Sequence, residues 1–100
     1  VQHGQLQITG STDRVFMHEG EVTVDDPGWD RRIVLHGSGS ANVVVWNPWS
    51  TGAENIADIG PGEWQGFVCV EAANAYADAI TLLPGEHWTI SQRIELQPRD

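Results

Sequence analysis

A chain of 100 residues with 40% apolar content has enough material for one modest core, and no internal boundary stands out in it. Five Lys and Arg stand against 14 Asp and Glu, a formal net charge of -9, so a phosphate backbone or an anionic membrane surface would be repelled. The single cysteine, Cys69, excludes a disulfide framework and a multi-cysteine metal site, and it reads as a small buried hydrophobe.

In chain order, Leu6 and Ile8 alternate with polar neighbours and predict a first strand. Asp13-Arg14 leads into Val15-Phe16-Met17, which places Asp13 near the start of the next one. Val22 and Val24 alternate again, residues 25–30 make a polar turn, and Ile33-Val34-Leu35 is a short β-branched run. Gly37-Ser38-Gly39-Ser40 reads as a flexible connection. Val43 to Trp46 is the strongest strand candidate, apolar on both faces and stopped by Asn47-Pro48.

Residues 50–64 are rich in glycine and proline, with a short turn of helix expected near Ala53 to Ile56. Phe67 to Val70 predicts a second interior strand that ends on Glu71. Ile80 to Leu83 and Trp88 to Leu96 then flank the turn Pro84-Gly85-Glu86. Short strands with glycine-rich turns and no long amphipathic helix predict an all-β fold, an antiparallel β-sandwich. No apolar stretch reaches the roughly 18 residues of a membrane span, and no basic segment precedes an apolar one at the N-terminus. The expected setting is cytoplasmic.

Phosphate-binding loops, dinucleotide fingerprints, nucleophile elbows and His-Glu-x-x-His are all absent from the sequence. His3, His18, His36 and His87 are scattered without ligand spacing, and no metal site is expected. The five tryptophans read first as core padding. Trp49 is the exception, because it follows a strand end and is placed to meet the apolar face of a sugar ring.

The carboxylates are more promising. Glu71 alternates onto the same side of its strand as Phe67 and Cys69, where a charge needs either a partner or a function. Asp13 is either a turn residue beside a surface arginine or an acceptor for sugar hydroxyls. Arg14, Arg31 and Arg32 form the pool from which a small anion would be held. All three also read as surface charges.

The segments Thr12-Asp13-Arg14-Val15-Phe16, Val43 to Trp49, Phe67 to Asn74, and Leu82 to Glu86 with Ser91-Gln92 occur in a family's order. Together they resemble the C-terminal part of D-hexose-6-phosphate mutarotases, the glucose-6-phosphate 1-epimerases of the aldose 1-epimerase superfamily. The resemblance covers essentially the whole chain. It implies a β-supersandwich, with residues 1–100 as the C-terminal segment of one catalytic domain. It also implies that Glu71 is the general base and that Asp13 contacts sugar hydroxyls; the readings of the residues above add Arg14 and Trp49 as substrate contacts. The substrate would be a sugar phosphate, and neither metal nor organic cofactor is needed.

The family's general-acid histidine belongs to a His-Thr-Tyr-Phe-Asn type segment that does not occur here, so none of the four histidines takes that role. Most phosphate-binding arginines also lie upstream in the family. The resemblance therefore implies an inert segment that needs the missing N-terminal part of its domain, with exposed edges that invite self-association. Gly52-Ala53-Glu54-Asn55 departs from relatives that often carry a lysine there. Two rivals stand beside this reading: a noncatalytic carbohydrate-binding or structural β-sandwich module, and a mutarotase for unphosphorylated aldoses.

Overall fold

Short apolar runs and apolar–polar alternations mark the strands of this protein, and the computed structural model, which describes Gln5–Arg99, shows six of them. They are β1 (Thr12–Met17), β2 (Glu21–Asp26), β3 (Arg31–Ser38), β4 (Asn42–Asn47), β5 (Cys69–Ala73) and β6 (Ser91–Pro98). Among the described residues the one α-helix, α1, covers only Trp49–Ala53, and three single 3-10 turns lie at Pro27–Trp29, Glu63–Gly66 and Tyr76–Asp78. The fold is all-β, with two three-stranded sheets of order β1-β4-β5 and β2-β3-β6, as the sandwich expectation requires. The chain divides into two compact units, one made of residues up to Val15 with Val44–Glu71, the other of Phe16–Val43 with the residues from Ala72 onward.

The second unit contains the whole β2-β3-β6 sheet, antiparallel throughout. Its register stacks Val22, Leu35 and Ile94 in one cross-strand row and Val24, Ile33 and Leu96 in the next, which makes one face apolar. Leu35 is buried on the central strand, whereas Ile94 and Leu96 on the edge strand β6 are 60% and 67% exposed. The opposite face carries the polar rows Glu21, His36, Arg93 and Asp25, Arg32, Gln97. Arg31 and Arg32 bond their acidic neighbours, Arg31 Nε to Asp26 at 2.9 Å and Arg32 Nε near Asp25 at 3.9 Å. That agrees with their reading as surface charges.

Residues 37–40 do not behave as a flexible connection. Gly37 and Ser38 continue β3, and the Gly39 carbonyl accepts both the Asn74 amide at 2.8 Å and the Trp88 indole N–H at 2.7 Å. The Asn74 amide oxygen in turn accepts the Ala41 N–H at 2.9 Å. Asn42, 2% exposed, accepts the Ala75 N–H at 2.9 Å and donates to Asp78 at 3.0 Å. Two asparagines thus satisfy backbone groups that no strand ladder reaches.

The first unit is built around the Val44–Asn47 part of β4, with Val45, Ala53 and Asn47 buried. Two sequence expectations shift here. The helix begins at Trp49 rather than Ala53, because the Pro48 carbonyl accepts the Gly52 N–H at 3.1 Å and closes the first turn there. The strand carrying Glu71 begins at Cys69 rather than Phe67, because the Phe67 carbonyl is taken by the Asn47 amide at 2.7 Å. Glu71 therefore sits in the middle of β5, not at its end.

Leu6 and Ile8 keep their half-buried alternation but form no strand. Ile80–Leu83 and Trp88–Ile90 are not strands either. The turn between them is real, with Gly85 at φ +87° and the Glu86 N–H on the Leu83 carbonyl at 3.0 Å. Its flanks lack a ladder partner, and every residue from Ala79 to Ile94 is exposed.

Candidate active site

Asp13 and Glu71 both belong to the first unit, on strands that lie either side of β4 in one sheet. Two inter-strand spacings set these two strands on the order of 9.5 Å apart. Both side chains belong to exposed residues. Arg14 is exposed as well, but as Asp13's neighbour on β1 it projects from the opposite face of that strand.

Trp49 opens α1 with φ +59°, a left-handed backbone value that a bulky residue holds only when its surroundings impose it. The imposing group is Asn47. Its amide oxygen accepts the Trp49 N–H at 2.8 Å, while its amide nitrogen donates to the Trp64 carbonyl at 2.9 Å and to Phe67. With Asn47 only 3% exposed, its own end of each bond is sheltered from water. The Trp49 ring rests against Trp64, centroids 4.5 Å apart and planes inclined by 46°. Trp46 meets Phe67 at 5.9 Å.

Sequence reasoning missed Asn47 and Trp64. The signal for Asn47 was present, since an asparagine before proline at a strand end is the composition of an Asx-turn, in which the side chain bonds the backbone two residues on. Nothing local marks Trp64 as the partner of Trp49.

Glu71 also acts on its own strand. Cys69, two residues away on the same face, has its thiol pKa pushed up, first by burial and then by the negative charge of Glu71. Cys69 is half-buried, more open than a core hydrophobe.

A hollow lies within each unit. The first, about 500 Å³, lies beside Trp64 among Ser50, Glu54, Ile56 and Ile59. The second, about 450 Å³, is lined by Gly39, Asn74, Asp78 and Trp88. Neither is lined by Asp13, Arg14, Trp49 or Glu71. His18 contacts the Glu21 carbonyl through Nε2 at 2.9 Å, and His36 lies between Glu21 and Glu95 at 3.6 and 3.7 Å. His87 is exposed in the loop before β6, and His3 lies outside the described residues. Among the described residues no cluster of His, Cys, Asp or Glu is arranged to hold a metal ion, and no helix is long and apolar enough to cross a membrane.

Comparison with known proteins gives a consistent result. The family model for aldose 1-epimerase matches residues 2–95. A protein of Cenchrus ciliaris named "Putative glucose-6-phosphate 1-epimerase" is 35% identical over 88 residues, which is 87% of this chain and 26% of that protein. The chain thus spans about a quarter of the length of that relative. No solved structure matches it.

Proposed function

The chain belongs to the aldose 1-epimerase family, and from that premise we propose that its parent protein interconverts the α and β anomers of a hexose 6-phosphate, glucose 6-phosphate foremost. The observation that carries the reading is the 35% identity to the Cenchrus ciliaris protein across 87% of the chain. Of the two exposed carboxylates on the strands flanking β4, Glu71 offers a base and Asp13 an acceptor for sugar hydroxyls.

In this mechanism the ionised Glu71 removes the proton from the C1 hydroxyl of the pyranose. An acid, assigned to a histidine elsewhere in the parent protein, protonates the ring oxygen as the bond from C1 to that oxygen breaks. The open aldehyde rotates about its C1–C2 bond. Reclosure with the two roles exchanged yields the other anomer, and each group recovers its starting protonation state. Only protons are exchanged, so the scheme calls for neither metal nor organic cofactor. Asp13 accepts hydrogen bonds from sugar hydroxyls and Trp49 offers its ring to the apolar face of the sugar, whereas Arg14, on the other face of β1 from Asp13, stays outside this set of contacts.

A second reading, a mutarotase for unphosphorylated aldoses, gains support from Arg31 and Arg32, whose charges are engaged by Asp26 and Asp25. The test is NMR exchange spectroscopy of glucose 6-phosphate with the parent protein and with this chain side by side. A fast parent and an inert chain are expected, with inorganic phosphate competing in the parent. Failure of phosphate to compete would favour the unphosphorylated sugar, and an inactive parent would overturn the catalytic reading.

A further inference from the structure

Asn47 makes more ordered contacts than any strand terminus requires. Ending β4 at Pro48 needs no buried amide, since proline alone stops the ladder. Yet the Asn47 side chain uses its oxygen and its nitrogen together, on Trp49, Trp64 and Phe67. These groups lie 2, 17 and 20 residues away in sequence. Two of them belong to the paired tryptophans, and the third opens the segment that runs into β5 and Glu71.

We propose that Asn47 is a positioning residue for sugar binding, one whose side-chain amide fixes the Trp49–Trp64 pair relative to the strand that bears Glu71. This rests on the reading of Trp49 as a substrate contact. The physical argument is one of rigidity. Trp49 holds φ +59°, a value it would leave if released, and the Asn47 oxygen is the acceptor that holds its N–H. The indole of Trp49 is held a second time by Trp64, whose carbonyl is tied to the same amide. Removing the amide frees both ends of the aromatic pair at once. An aromatic platform that has lost its orientation still presents apolar area, so binding weakens more than chemistry does.

The Asn47→Ala and Asn47→Ser variants of the full-length parent protein test this. Serine keeps an oxygen for the Trp49 N–H but has a single hydroxyl hydrogen where the amide donates to both Trp64 and Phe67, so it falls between wild type and alanine. In Asn47→Ala, KM for glucose 6-phosphate rises about tenfold to a hundredfold while kcat falls much less and its pH profile stays in place. The near-ultraviolet circular dichroism of the tryptophans weakens in the same order. Asn55→Ala is the control, since Asn55 is exposed and reaches only the Thr51 carbonyl at 3.4 Å.

A folded Asn47→Ala with unchanged KM and unchanged tryptophan signal overturns the proposal. So does a loss of activity that merely tracks a lower melting temperature. If neither variant folds, amide exchange of the Trp49 N–H in the wild-type parent decides. Slow exchange supports a held N–H, and exchange at the rate of an open loop overturns it. A parent without turnover would sink the catalytic reading, and the tryptophan signal would still judge Asn47.

Discussion

Cys69 and Glu71 share one face of β5, and the carboxylate's negative charge adds to burial in keeping the neighbouring thiol protonated. Both effects disfavour the thiolate, so the pKa rises above its ordinary value. Alkylation of Cys69 by iodoacetamide is therefore expected to set in at higher pH than for an exposed thiol. In Glu71→Gln the onset moves to lower pH, though not to the ordinary value, because the burial contribution stays. An unshifted profile would mean that Glu71 carries no charge near the sulfur.

The same substitution tests catalysis separately. Glutamine conserves the shape of Glu71 and removes its basicity, so anomerisation by the parent protein should fall by about 10²- to 10⁴-fold with the fold intact. NMR exchange spectroscopy gives the rate and circular dichroism the fold. Near-normal turnover would remove Glu71 from the role of base.

Asp13→Asn is expected to act on binding. An amide keeps one acceptor but loses the charge-assisted hydrogen bonds to sugar hydroxyls, so KM should rise about tenfold with a smaller change in kcat. An unchanged concentration dependence would return Asp13 to the status of a strand residue beside Arg14.

Stability predictions centre on the second unit's asparagine clamp. Asn74→Ala strips the partner from the Ala41 N–H and one of two donors from the Gly39 carbonyl, for a loss of about 2 kcal/mol. Urea unfolding of the parent protein should show a lower midpoint at constant slope. Asn74→Asp, which keeps the acceptor, should fall between.

Gly39→Ala probes the same region through the backbone. Gly39 holds φ +74°, and a Cβ there would collide with the Thr89 carbonyl. The alanine variant should lose more than about 1 kcal/mol in the same unfolding experiment. A neutral result would mean that residues 88–89 yield easily and that the clamp is soft.

Where strands pair with neighbours in register, the sequence reads well. Val22 and Val24, the run Ile33-Val34-Leu35, and Val43 to Trp46 all lie inside observed strands, because alternation or β-branching coincides with a ladder partner. Ile80 to Leu83 carries a similar composition and forms none, since apolar residues without a partner strand remain a loop. Of the candidate site residues, Asp13 and Glu71 could be named from motif and pattern, and their placement in one sheet could not. Trp49 was singled out for its position after Pro48. The left-handed backbone and the Trp64 contact that define its setting were invisible.

By itself the sequence determines the all-β class, the acidic surface that repels phosphate backbones, and the family, because composition, period and motif are properties of the chain read locally. The tertiary structure alone decides that β4 separates β1 from β5, that Glu71 lies mid-strand, and that the buried Asn42 and Asn47 and the half-buried Asn74 serve as clamps. A period-2 pattern records which face of a strand is covered but not by what. A side-chain amide likewise reveals its partners only when folding brings carbonyls and N–H groups from distant segments within hydrogen-bonding distance of it.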